Sequence, residues 1–170
     1  PKVLISDDRG IEHLAKLSVS GDAHPWIRAE AAAIGLARHC GITVPEARVT
    51  TSMGRDVLLI RRFDRVIGGQ RRHVVSGLTM LGMDALLGAR YGSYPEMLDV
   101  LREWARDPQD VGGQLFERVV FNVAIGNNDD HARNHAAFWD GVGLELTPAF
   151  DLTPQPRSTD TSAQAMAIGR

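Results

Sequence analysis

IGNNDDHARNHAAFWDG, Ile125–Gly141, stands at the end of an apolar run, LFERVVFNVAI, Leu115–Ile125. Asn127, Asn128, Asp129, Asp130, His131, Asn134 and His135 crowd into nine residues. So many short polar side chains at the end of an apolar helix pack poorly. They suit a place where a cation or a hydroxyl proton has to be held.

Composition narrows the class. The chain has 170 residues, enough for one domain or two small lobes with a modest core. Its hydrophobic share is 44%, ordinary for a globular protein. A formal net charge of −2 provides no overall basic field for nucleic acid, and direct DNA binding is not expected. The single cysteine, Cys40, cannot form an internal disulfide and fits a reducing, cytoplasmic compartment. Its flanks, ARHCGI, read as a helix end, so Cys40 is expected to be structural. No apolar run reaches the roughly 18–20 residues of a membrane span, and no signal peptide is visible. Pro1 and the ending SAQAMAIGR read as cuts in a longer protein.

Outward from the polar stretch, the coarse organisation follows from periodicity. KVLIS and IEHLAKLSV read as a hairpin around the turn-forming DDRG. WIRAEAAAIGLARHC has helical spacing and stops at Gly41. ITVPEARVTTS and DVLLIRRFD read as two more strands around the MGR turn. VIGGQRRHVVSG is expected to be a loop, with Arg71 and Arg72 solvated. Residues 79–90 and 95–106 read as helices. Gln114 to Ile125 is the clearest helix. Leu115, Phe116, Val119, Val120, Val123 and Ala124 make one apolar face at i, i+3, i+4 spacing, which predicts that Phe116, Val120 and Val123 are out of solvent. AAFW and GLELT read as a hairpin around Asp140-Gly141. The chain divides near Val66 into a sheet lobe, 1–66, and a helical lobe, 67–170. A cleft between them is where a small-molecule site is expected.

Three residues carry the chemistry. Asn134 follows Asp129 by five residues, and Asp151 lies seventeen further on. The intervening hairpin can fold Asp151 back beside Asn134. An amide oxygen and a carboxylate are hard ligands of the kind Mg²⁺ takes, with water and phosphate oxygens completing the shell. Asp129 stays free to accept a hydroxyl proton, the division of labour of kinase-like phosphoryl transfer. Two plainer readings compete. Asp129 and Asp130 could cap a following helix. His131 and His135, at i, i+4, could begin a zinc site, although no third ligand is evident. His131 is expected to brace the loop instead.

NNDDHARN followed by TPAFDLTP resembles the HipA-type serine/threonine kinases, the toxins of bacterial toxin–antitoxin pairs. Their pattern is a D-x-H-x-x-N catalytic loop, a short hairpin, and an S/T-P-x-[YF]-D metal motif. AEAAAIGLARHCGITVPEARV and LIRRFDR are similar to the family's helix–strand segment and hinge. The resemblance implies an α+β, two-lobed, protein-kinase-like fold: a small antiparallel sheet lobe and a helical lobe. It implies ATP and Mg²⁺ as cofactors, with Asp129 as the catalytic aspartate and Asn134 and Asp151 as metal ligands. Lys16, in AKLS, falls on the phosphate-binding lysine, and Glu30 is its orienting partner. The backbone near Arg61 and Phe63 would meet adenine, and Asp64 the ribose. The partners implied are a protein substrate, with aminoacyl-tRNA synthetases as the family's example, and a DNA-binding antitoxin. The family's Gly-rich phosphate loop would lie upstream of Pro1, and much of its helical lobe would follow Arg170. Two other readings share these residues: a kinase-fold enzyme acting on a small molecule or lipid, and a non-catalytic partner-binding fragment.

Overall fold

The computed structural model describes residues 1–66, 69–84, 92–156, 161 and 163–169. The first two strands are β1 (Lys2–Ser6) and β2 (Glu12–Leu17), an antiparallel hairpin. The Asp7 carboxylate closes its turn by accepting from the backbone N–H of Arg9 and Ile11, both at 2.9 Å. β3 (Ala47–Ser52) and β4 (Arg55–Arg61) form a second hairpin, and the sheet order is β1-β2-β4-β3. The central strand β4 carries the run Val57–Ile60, buried throughout, whereas β1 is an exposed edge. Such a near-continuous apolar run is what a strand covered on both faces requires.

The helix α1 (Trp26–His39) lies between two cores. Its Ile27 and Ile34 pack with Leu58 and Ile60 of the sheet. Its Ala33 and Ala37 pack with Phe121, Ala149 and Leu152 from the later half of the chain. Small alanines on that side let the second half approach closely. Cys40 is the exposed C-cap of α1, and Gly41 follows at φ 88°.

The later half holds β5 (His73–Ser76), the single-turn α2 (Gly77–Met80), α3 (Tyr94–Trp104), α4 (Pro108–Ile125), a 3-10 turn (Ala132–Asn134), β6 (Ala136–Trp139) and β7 (Leu144–Leu146). Its strands make an antiparallel sheet in the order β5-β6-β7. A core of Met97, Leu101, Val111, Leu115, Ala132, Leu144 and Leu146 joins α3 and α4 to this sheet. Ser93 and Glu96 form a capping box at the start of α3, and Asp107 caps α4 through the N–H groups of Gln109 and Asp110.

Three expectations need correction. The segment containing Arg71 and Arg72 is not simply a solvated loop: it leads into β5, which pairs with β6. Arg72 stacks over Phe138, 3.3 Å from the ring centroid, and reaches Glu145 at 3.1 Å. The helix expected over 79–90 appears as α2 at Gly77–Met80, and residues 85–91 lie outside the described residues. The third correction is the face of α4. Phe116 is 68% exposed and Val120 is 49% exposed. The inward face is Val111, Leu115, Arg118, Val119 and Asn122. Arg118 donates to the Thr147 carbonyl at 2.6 Å and Asn122 donates to Asp130 at 2.9 Å. Those two buried polar contacts fix the rotation of the helix and turn Phe116, Val120 and Val123 outward.

Gly77 marks a close approach. It is buried, its N–H donates to the His135 carbonyl at 2.7 Å, and a Cβ there would lie 2.5 Å from the Ala132 carbonyl oxygen.

Candidate active site

β2 and β4 form the roof of a cleft of about 480 Å³, within the size range of small-molecule sites. Lys2, Leu14, Lys16, Ile60 and Arg61 line it from the sheet, Arg62–Asp64 from the connection, and Val74, Arg133, Asn134, Phe150 and Asp151 from the later half.

Lys16 is the centre of the charged part. It is buried on β2, and its ammonium donates to the Glu30 carboxylate of α1 at 2.5 Å and to Asp151 Oδ1. Lys2 approaches the same Asp151 oxygen at 3.7 Å from the cleft edge. Burial works against the Lys16 ammonium, but two facing carboxylates overcome it and hold its pKa above the ordinary lysine value. Burial lifts the Glu30 carboxyl above its usual range despite Lys16, and Asp151 adds repulsion. Burial acts on Asp151 in the same sense, but Lys16 and Lys2, with His131 nearby, draw its pKa below the ordinary value. Asp151 therefore stays ionised in a half-buried site. Its backbone is unusual: φ is 59°, in the left-handed region that L residues visit rarely.

The polar stretch after α4 does two jobs. Asp129 is exposed at the loop surface, while Asp130 is buried at 2% exposure. Asp130 Oδ2 accepts from Tyr94 Oη at 2.7 Å and from Asn122 Nδ2 at 2.9 Å, and His135 Nε2 lies 3.1 Å from it. Burial, and then the Asp130 charge, push the Tyr94 phenol well above its usual range, so it remains a donor. Asn127 Nδ2 donates to Asn122 Oδ1 at 2.9 Å and to the Asp151 carbonyl at 3.2 Å. Asn134 Nδ2 donates to the Asp129 carbonyl at 3.1 Å, which leaves the amide oxygen as its acceptor end. Neither Asp129 nor Asp130 caps the 3-10 turn; His131 occupies that position. His135 is turned to Asp130.

The geometry therefore brings Lys16, Asn134, Asp151, Arg61, Phe63 and Asp64 to one cleft, with Glu30 directly behind Lys16. Asp129 is not among the residues lining that cleft; it joins the site through the backbone contact with Asn134. The connecting segment differs in detail from expectation. The backbone N–H groups of Arg61 and Arg62 are spent on the Glu46 and Glu12 carbonyls. The turn at Phe63 and Asp64 is then the part suited to a planar ligand. Phe63 lies against Phe138 and Phe150, each at 5.8 Å between centroids. Asp64 is held by Arg62 at 2.8 and 2.5 Å and by Arg65. Burial raises the Asp64 carboxyl, but these guanidiniums bring it below the ordinary value.

Sequence reasoning gave Asn127 no role and Asp130 only that of a helix cap, and it passed over Asn122 and Tyr94. The signal for the first two was the excess of polar residues in NNDDH over what the proposed chemistry needs. Tyr94 and Asn122 sit in ordinary helical surroundings and carry no such mark.

As a set of metal donors, Asn134 and Asp151 fit a hard cation: an amide oxygen end and an ionised carboxylate on one cleft. Among the described residues no group of three or more His, Cys, Asp or Glu could hold a metal alone, so water and phosphate oxygens would complete the shell.

Comparison with known proteins bears on the family and the fold. The serine/threonine-protein kinase toxin HipA of Shewanella oneidensis is 28% identical over 152 residues, covering 78% of this chain and 35% of that protein. A chain in the solved complex of Shewanella oneidensis MR-1 HipA, HipB and operator DNA superposes with a TM-score of 0.85 at 24% identity, over 99% of this chain and 46% of that one. The Helicobacter pylori proinflammatory kinase CtkA has a TM-score of 0.71 at 15% identity, over 89% of this chain and 54% of its own. The chain thus spans about a third of the curated relatives' length. The two structural likenesses establish the α+β, kinase-like fold. With the HipA-like C-terminal domain model matching residues 1–170, the chain belongs to the HipA-like C-terminal domain family.

Proposed function

We propose that this chain is the catalytic part of a HipA-type serine/threonine kinase, transferring the γ-phosphoryl group of ATP, with Mg²⁺, to a protein hydroxyl. The observation that carries the reading is the cleft in which Lys16, bridged to Glu30, meets Asp151 and Asn134. Lys16 has the charge and burial to hold phosphate oxygens, and Glu30 fixes its direction. Phe63 and the adjoining backbone form an apolar wall for the adenine, with Asp64 beside it for the ribose. Asn134 and Asp151 would hold Mg²⁺, which neutralises the charge on the phosphates during transfer. Asp129, exposed on the same loop, would accept the proton of an arriving hydroxyl.

The partners are part of the proposal. The Shewanella oneidensis HipA was solved with HipB and operator DNA. For the protein that contains this chain we propose a DNA-binding antitoxin partner, which would make any DNA contact, since the net charge here is −2. An aminoacyl-tRNA synthetase is the proposed kind of protein substrate. The cytoplasm is the proposed compartment; no helix among the described residues is long and apolar enough to cross a membrane.

The test is calorimetric ATP titration of the full-length protein with and without Mg²⁺, paired with a phosphorylation assay. Mg²⁺-dependent ATP binding is expected. Asp129→Asn should lose transfer by about 100-fold or more while keeping Mg²⁺–ATP binding. A protein that binds no ATP in the presence of Mg²⁺ would be a non-catalytic module and the proposal would fail. Full transfer activity in Asp129→Asn would remove Asp129 from the mechanism.

A further inference from the structure

Asn127 is 1% exposed, and its side chain has no part in the mechanism above. Its amide has two N–H donors, and both are committed. One points to Asn122 Oδ1 at 2.9 Å, the other to the Asp151 carbonyl at 3.2 Å. Its backbone N–H also donates to the Asn122 carbonyl at 2.9 Å, which ties residue 127 firmly to the end of α4. Asn122 is oriented in turn by Asp130, and Asp130 by Tyr94 and His135. An unbroken chain of buried hydrogen bonds therefore runs from the residue next to Asp129 to the backbone of Asp151.

The Asp151 end of that chain is where the backbone needs holding. At φ 59° an L residue is in a sparsely populated conformation that the surroundings must enforce. Ala149 is anchored to the Thr43 carbonyl at 2.8 Å and Leu152 is buried, so both flanks are fixed. Between them, the amide of Asn127 grips the carbonyl of Asp151 itself. A change in the backbone there would swing the carboxylate away from Lys16.

We infer that Asn127 is a positioning residue that sets the Asp151 backbone and couples it to the catalytic loop. The inference rests on the reading of Asp151 as a metal ligand. Residues that orient metal ligands from behind commonly matter as much as tenfold or more in metal affinity. A leucine keeps the branched outline of asparagine and donates nothing, so it removes both hydrogen bonds without leaving a hole.

The experiment uses the full-length protein with Asn127→Leu, Asn127→Ser and Asp151→Asn, singly, and Asn127→Ser combined with Asp151→Asn. Each is titrated with ATP in the absence and presence of Mg²⁺, and its melting temperature is recorded. Both Asn127 variants should keep metal-free ATP affinity within about twofold, while the gain in affinity on adding Mg²⁺ falls by about tenfold. Asp151→Asn should lose that gain too, and the combined variant should lose no more than Asp151→Asn alone. A purely structural role would lower the melting temperature and leave the Mg²⁺ gain intact. If the folded Asn127 variants keep the wild-type gain and Asp151→Asn loses it, the positioning role is wrong and the metal reading stands. If Asp151→Asn keeps the gain, the metal reading fails and the inference falls with it. Leu at 127 keeps the branched outline and leaves no hole, so it covers the case in which the hole left by Ser unfolds the protein.

Discussion

Two carboxylates share one ammonium at Lys16, and this imbalance governs what substitutions there will do. Glu30 and Asp151 both contact Lys16, and Glu30 is the more deeply enclosed. Removing the cation strands a buried negative charge, which typically costs roughly 3–5 kcal/mol. Lys16→Met should therefore be destabilised by about that amount in urea unfolding near neutral pH. The pH dependence has a definite sign. The folded-state pKa of Glu30 already lies above its ordinary value of 4.5, and loss of Lys16 raises it further. A raised acid contributes stability when protonated and loses it as pH rises. The deficit of Lys16→Met should thus be smallest below pH 4.5 and grow as pH climbs through the raised Glu30 value. A deficit that is flat with pH would mean that Glu30 does not face Lys16. The spacing of Asn134 and Asp151 foreshadowed their meeting at one cleft, whereas Lys16 and Glu30 were named only through the resemblance to the HipA-type kinases. Asn127 and Asp130 were not legible, since an asparagine holding a carbonyl and one holding a metal look alike in one dimension.

Among the elements, α4 separates what periodicity can tell from what it cannot. The helix was evident from its apolar repeat, but that repeat has two overlapping stripes. Leu115 and Val119 belong to the buried one, Phe116 and Val120 to the exposed one. Arg118 and Asn122 choose between them, and polar residues are invisible to an apolar count. Arg118 is only 3% exposed, and that burial lowers its guanidinium to about 10. The contrast is directly testable. Leu115→Ala should cost about 2–5 kcal/mol, as for other large-to-small core changes. Phe116→Ala, one residue away, should change stability by no more than about 0.5 kcal/mol. Denaturant midpoints with unchanged slopes would check both. β5 was missed for another reason. The strand is only four residues long and follows two arginines, and its pairing partner β6 lies sixty or more positions away, so no local pattern announces it.

At the scale of the whole molecule, α1 and the Lys16 ion pairs join the early sheet to the later half. Ala33 and Ala37 pack against Phe121, Ala149 and Leu152, and Asp151 reaches across to Lys16. Asp151 is the acid-sensitive member of that contact. Its folded pKa is below its ordinary 3.8, so the stability it contributes is present above that value and is lost as pH falls through the depressed folded value. Wild type should be more stable than Asp151→Asn near neutral pH, and the gap should close below pH 3.8. Urea unfolding of the two proteins across that range checks it; a gap that persists in strong acid would put the advantage outside the carboxylate. A cleft was expected from the split of strand and helix patterns near Val66. The packing of Ala33 and Ala37 against Phe121, Ala149 and Leu152 was not, because those partners lie far along the chain.

Gly77 gives this architecture a seat for its working loop. With Ala132 oxygen only 2.5 Å from where a Cβ would stand, and the Met97 methyl at 2.7 Å, the start of α2 acts as a mechanical stop. The loop that carries Asp129 and Asn134 rests against it with no clearance. A single methyl group is therefore a wedge of known size and direction: Gly77→Ala must lift the Ala132 carbonyl by several tenths of an ångström, while the sheet that holds Lys16 is out of its reach. Hydrogen exchange that quickens around residues 129–135 and stays unchanged in β2 and β4 would register that displacement, and would turn one glycine into a graded control over how the loop is seated.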